Sequence, residues 1–171
     1  PVDGNSSHHH TQEKIQKKKK IRIIGDYDID GIQSTYILYS ALHACGAQID
    51  YAIPDRITDG YGINERLVRQ ASDDGVDTIL TCDNGIAAAK ELSLAKELGM
   101  AVIVTDHHEV PFEETQGGER VFHIPPADAV VNPKQPDCPY PFKELCGAAV
   151  AFKLVQALYE KEGLPPEQSW A

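Results

Sequence analysis

The sequence predicts an α/β fold, a parallel, doubly wound, Rossmann-like sheet with helices on both faces. Two observations carry this. From residue 21 onward, short apolar runs alternate with segments of helical period, the pattern of βαβ units. The runs also lack in–out alternation, as strands covered on both sides do.

The elements follow in order. IRII (21–24) is a first strand, ending in Gly25 and three aspartates at every second position, Asp26, Asp28 and Asp30. Ile32, Tyr36, Ile37, Ala41, Leu42 and Cys45 mark a helix over 32–45 that Gly46 stops. IDYAIP (49–54) is the second strand. After the polar loop DRITDGYG, Asn64 caps a short helix to Ser72 that presents Leu67, Val68 and Ala71. DTILTCD (77–83) is a strand, IAAAKELSLAKELG (86–99) a helix and MAVIVTD (100–106) a strand. Residues 107–127, with GG and PP pairs, read as loop, and DAVVNP (128–133) as a short strand. KQPDCPYPF is too proline-rich for regular structure. ELCGAAVAFKLVQALYEKEG (144–163) is the last, long helix.

Composition narrows the function classes. At 171 residues the chain has room for one well-packed domain. No apolar run reaches the roughly 20 residues of a membrane span, and no charged-then-apolar leader opens the sequence. Cys45, Cys82, Cys138 and Cys146 are scattered without a CxxC pair, which argues against a disulfide framework and fits a reducing cytoplasm. All are expected to pack, not to react. A net charge of −10 argues against a broad nonspecific nucleic-acid surface, yet leaves a nuclease open, because carboxylates that bind divalent cations are neutralised in the working protein. Residues 1–20 stand apart. PVDGNSSHHH resembles an expression-tag remnant, and TQEKIQKKKK is a basic lead-in whose lysines form a solvated helix end.

The chemistry concentrates at strand ends. The first, third and fourth strands end in Asp26, Asp28 and Asp30, in Asp83, and in Asp106, His107 and His108. Parallel strands bring these ends to one edge of the sheet, where sites of such folds form. Helix capping explains any one aspartate. It explains the set badly, because converging carboxylates repel unless protonated or compensated. A divalent-metal site is therefore favoured. Mixed carboxylate and imidazole ligands suit Mn2+, or Mg2+ where oxygens dominate; zinc fits less well without thiolates. A carboxylate bridging two ions is the usual arrangement for phosphoester hydrolysis. Tyr27 could stack on a base, but an extended segment would point it away from the acidic side chains.

GDYDIDG (25–31), CDNGI (82–86) and TDHHEV (105–110) resemble three successive motifs of the DHH phosphoesterase family, named for the triplet at 106–108. PDRITDGYGIN (54–64) and ADAVVNPKQPDCPYPFKELCGAAVAFKLVQAL (127–158) resemble RecJ-type single-stranded-DNA exonucleases in particular. The resemblance implies a DHH-domain fold and a Mn2+- or Mg2+-dependent 5′→3′ exonuclease of DNA repair and recombination. Its substrate would be single-stranded DNA, and a single-strand-binding protein or a helicase is a candidate partner of the complete enzyme. It makes Asp28, Asp30, Asp83 and His107 metal ligands, with Asp83 the bridge between two ions. Asp26 becomes a ligand or a close partner of one, in a neighbourhood where many relatives use histidine. Asp106 orients a neighbouring histidine, His108 contacts the scissile phosphate, and Arg56 is a candidate phosphate contact, with a plain surface salt bridge as the equal alternative. A further metal-binding aspartate and a second domain that grips the strand, both present in the family, find no counterpart over 159–171. Residues 21–171 are thus expected to be a partial catalytic domain that folds, binds metal weakly and has little or no activity alone. Other DHH-type hydrolases of short oligonucleotides or cyclic dinucleotides, a non-catalytic DNA-binding relative and a phosphoryl-accepting α/β domain rank behind this reading.

Overall fold

The computed structural model describes residues 19–164. Five parallel strands form one sheet in the order β2–β1–β3–β4–β7: β1 (Lys20–Ile24), β2 (Gln48–Ala52), β3 (Thr78–Cys82), β4 (Ala101–Thr105) and β7 (Ala129–Val131). The helices are α1 (Ile29–Ala44), α2 (Glu65–Asp73), α3 (Ala89–Glu97) and α4 (Gly147–Glu162). The expected α/β architecture is the observed one.

Successive strand side chains point to opposite faces, and each face buries its own core. Ile21, Ile23, Leu80, Cys82 and Ile103 pack beneath α1 and α4, against Leu38, Leu42, Leu154 and Leu158. Ile24, Ile79, Val102 and Val104 face α2 and α3, against Leu67, Val68, Leu92 and Ala95. Burying such side chains contributes about 1.5–3 kcal/mol each before chain entropy is subtracted. Arg22 is the exception on β1. It is nearly buried, and its guanidinium pairs with Asp50 at 2.7 Å and Asp74 at 2.8 Å.

Several boundaries differ from expectation. β1 begins at Lys20, whose Nζ lies 3.2 Å from Asp50 on β2, while Lys19 pairs with Asp77. The rest of the expected lead-in, residues 1–18, and the end of the chain, 165–171, lie outside the described residues. α1 starts three residues early, at Ile29, so Asp30 is helical and the three aspartates do not share one extended strand. Within the expected loop, Phe112–Glu114 (β5) and Arg120–Phe122 (β6) form an antiparallel hairpin, with Phe112 opposite Phe122. Its residues are exposed on both faces, so no hydrophobic alternation announced it.

Candidate active site

The strand order reverses between β1 and β3: α1 carries the chain outward from β1 to β2, and α3 carries it the other way from β3 to β4. Loops diverge at such a switch point and leave a crevice at the carboxyl ends of the strands. Asp26, Asp28 and Asp30 follow β1, Asp83 follows β3, and Asp106, His107 and His108 follow β4. The topology thus delivers all seven to one edge.

Local structure then divides their roles. Asp28 is the N-cap of α1 and accepts from Gly31 N at 2.9 Å. Asp30, in the first turn of α1, accepts from Gly147 N at 2.7 Å and Ala148 N at 2.8 Å, capping α4 from across the chain. Asp26 is fully buried; its Oδ1 accepts from Gly62 N at 3.1 Å and its Oδ2 has no hydrogen-bond partner. Gly31 permits this packing, since a Cβ there would lie 2.6 Å from the Asp26 backbone oxygen. Asp83 is 1% exposed, stands in the left-handed region at φ 60°, and buries both carboxylate oxygens without a hydrogen bond. His107 Nε2 lies 2.9 Å from Asp83 Oδ1 and 3.5 Å from Asp30 Oδ2. The 2.9 Å contact is short, but its geometry is not that of a hydrogen bond.

Asp106 turns inward. Its Oδ2 accepts from Ile86 N at 2.9 Å, and its Oδ1 takes His107 N at 2.7 Å, His108 N at 3.2 Å and His108 Nδ1 at 2.7 Å. A carboxylate only accepts, so Nδ1 carries a proton and His108 presents Nε2 to the crevice. Asn132 holds the His108 carbonyl at 2.9 Å. One ligand atom from each of Asp83, His107 and His108 falls within 4.8 Å of the others, a group that could hold a metal ion.

The electrostatics agree. Burial, then the Asp30 and Asp28 carboxylates, pushes the Asp83 carboxyl up to about 8. Burial would also raise Asp106, but the hydrogen bonds from His108 and Ile86 N outweigh it and hold that carboxyl below its usual range. The bond to Asp106, opposed by burial, raises His108. Capping accounts for Asp30 and for one oxygen of Asp28. It leaves both Asp83 oxygens and Asp26 Oδ2 without a hydrogen bond, and a buried polar atom without one is costly. Both sets of orphaned oxygens fit a cation.

Arg56 lies on the exposed loop after β2, where its guanidinium sits 5.6 Å from the centroid of the Tyr27 ring. It makes no ion pair among the described residues, so the salt-bridge alternative is not realised there. Tyr27 is not in an extended strand; it meets Tyr61 edge to face at 6.2 Å. Three contributors went unread in the sequence. Tyr61 Oη lies 3.0 Å from the Asp83 carbonyl and 3.2 Å from His108 Nε2. Asn84 ties β3 to β1 through Ile24 O at 3.1 Å and accepts from Ile63 N. Gly147 makes room for Asp83, because a Cβ would lie 2.6 Å from Oδ1. The one available signal was the glycine-flanked tyrosine of DGYG.

The cysteines are mostly structural. Cys82 is buried and its thiol is pushed up to about 12 by burial. Cys146 departs from the packing expectation, because the start of α4 leaves it exposed.

Comparison with known proteins gives a consistent result. The family model described as DHH family, N-terminal domain, matches residues 20–171. The single-stranded-DNA-specific exonuclease RecJ of Bacillus subtilis (strain 168) is 48% identical over 147 residues, 86% of this chain and 17% of its own length. An exonuclease RecJ crystal structure bound to manganese superposes with a TM-score of 0.82 at 37% identity, covering 97% of this chain and 40% of that one. RecJ from Thermus thermophilus in complex with Mn2+ follows with a TM-score of 0.75 at 35% identity, covering 97% of this chain and 22% of that one. The chain thus spans about a fifth of the length of the curated relatives it matches, 17% of the Bacillus protein and 24% of the Haemophilus influenzae one. With its three strand-end motifs on one sheet edge and this match over nearly all its length, the chain belongs to the DHH family.

Proposed function

We propose that this chain carries metal-binding and phosphate-handling residues of a single-stranded-DNA-specific exonuclease, a 5′→3′ hydrolase of phosphodiester bonds in DNA repair and recombination. Mn2+ or Mg2+ is the proposed cofactor, in keeping with the Mn2+ and Mg2+ named for solved RecJ structures. The observation that carries the reading is the Asp83 carboxylate, buried with both oxygens unsatisfied and beside the His107 imidazole. Asp28, Asp30, Asp83 and His107 would hold the ions, with Asp26 Oδ2 completing the set. Bound there, a divalent cation supplies Lewis-acid chemistry, offsetting charge on the phosphoryl oxygens and making a water nucleophile available near neutral pH.

The remaining steps belong to the chain. Asp106 holds the His108 Nδ1–H, and Nε2–H is the ring donor that reaches a phosphate oxygen. Arg56, exposed and without an ion-pair partner among the described residues, takes a second phosphate along the strand. Its guanidinium over Tyr27 leaves that aromatic at the rim, where a base could stack. We place the activity in the cytoplasm, with a single-strand-binding protein or helicase as partner. No described helix is long and apolar enough to cross a membrane.

Two measurements test this. Calorimetric titration with MnCl2 should show binding that Asp83→Ala and His107→Ala abolish. A labelled single-stranded oligonucleotide should release nucleotides slowly, from its 5′ end and only with metal. Metal affinity indifferent to both substitutions, or release that persists in chelator, would overturn the proposal.

A further inference from the structure

Tyr61 is placed by an unusual loop. Gly60 at φ 76° and Gly62 at φ 69° flank it, both in the left-handed region that disfavours a side chain. The loop is stitched to two strand ends, Gly62 N to Asp26 Oδ1 and Ile63 N to Asn84 Oδ1. These bonds hold the Tyr61 ring edge-on to His108, with centroids 5.7 Å apart and planes at 86°. The hydroxyl then meets two groups at once: it donates to the Asp83 carbonyl at 3.0 Å, and its oxygen accepts from His108 Nε2–H at 3.2 Å. Half of the residue remains exposed, so packing alone does not explain so fixed a hydroxyl.

The donor and acceptor inventory sharpens the point. Nδ1 of His108 is committed to Asp106, so Nε2 is the ring position left for any other partner. Tyr61 occupies it. The same hydroxyl bonds the carbonyl of Asp83, the described non-glycine residue with positive φ, and so supports the backbone turn that aims the Asp83 carboxylate into the crevice.

We propose that Tyr61 is a positioning residue for His108. Its hydroxyl ties Nε2 to the Asp83 backbone, setting the imidazole over the acidic crevice before substrate arrives. A phosphate oxygen reaching Nε2 arrives within hydrogen-bond reach of the same hydroxyl, which hands the nitrogen over. Only this last step rests on the phosphodiesterase reading; the positioning role stands on the contacts themselves.

Tyr61→Phe tests it, because it keeps the ring contacts and removes the hydroxyl alone. In the metal-free chain, long-range 1H–15N spectra of the imidazoles should show the His108 ring signals moved while amides away from the loop keep their positions. Mn2+ affinity should be unchanged. In the oligonucleotide assay kcat should fall roughly ten- to hundredfold, as for loss of a hydrogen bond to a charged group, with KM nearly constant. Identical His108 ring signals in the two proteins would overturn the proposal, as would an unchanged kcat. If the parent chain releases no nucleotide, as a partial domain can, the ring signals alone decide the role of Tyr61.

Discussion

Asp83 combines burial, a left-handed backbone and acidic neighbours, and each raises the energy of the metal-free chain. The sign of the pH effect follows. The unfolded carboxyl titrates near 3.8 and the folded one near 8, so between these values the unfolded chain has released a proton that the folded chain keeps. Raising the pH through that window therefore lowers stability. His108, raised by its bond to Asp106, acts in the same direction: its contribution is present below the unfolded value and lost as pH rises through the folded one. Asp106, held low, contributes above its unfolded value and loses this only as pH falls through its folded one. Thermal melts of the metal-free chain should show a falling midpoint from about pH 5 to about pH 8. Asp83→Asn should flatten that slope, since asparagine tolerates the left-handed backbone and carries no charge. A midpoint that rises with pH over this window would contradict the raised Asp83 carboxyl.

At the scale of elements, α4 begins without a cap of its own: Cys146 makes no side-chain cap bond, and Asp30 from α1 satisfies the first amides instead. A helix start leaves several N–H groups without intrahelical partners and favours negative charge, so this bond ties α1, α4 and the acidic crevice together. Asp30→Ala should destabilise the chain by about 0.5–2 kcal/mol in a denaturant titration. Gly147→Ala acts from the other side, forcing a Cβ into the Asp83 carboxylate. The expected cost is about 1–3 kcal/mol, with weakened Mn2+ binding. An alanine at 147 that changes neither stability nor affinity would show that α4 and the site are not coupled.

For the whole molecule, two cores clamp one sheet, and the acidic edge lies at its switch point, so the scaffold is stiff where the charges meet. A cation that binds only the folded chain stabilises it by mass action, about 2.7 kcal/mol at a hundredfold excess over its dissociation constant. Mn2+ at pH 8 should therefore raise the melting midpoint more than at pH 5, where protons compete for Asp83. An equal rise at both values would mean that Asp83 is not a ligand. Leu80→Ala, in the centre of β3, should cost about 2–5 kcal/mol and lower the midpoint at both values alike.

Much of this was legible in the sequence because it is local or periodic. The runs of β3 and β4, free of charge and of in–out alternation, announced strands covered on both faces. Asp26, Asp28, Asp30, Asp83 and the Asp106–His108 triplet stand directly after strands, so a parallel sheet had to gather them at one edge. The β5–β6 hairpin was illegible, since exposed residues carry no burial pattern. What only the tertiary structure decided is which of the gathered groups are already satisfied. Asp28 and Asp30 spend oxygens on helix starts, the second on amides 117 and 118 residues away. Asp83 and Asp26 keep orphaned oxygens. Tyr61 reaches His108 from 47 residues away. Composition and spacing determine which charges converge, because strand direction is set by local pattern. Which of them need a cation depends on hydrogen bonds between segments far apart in sequence, and those exist only once the helices have docked.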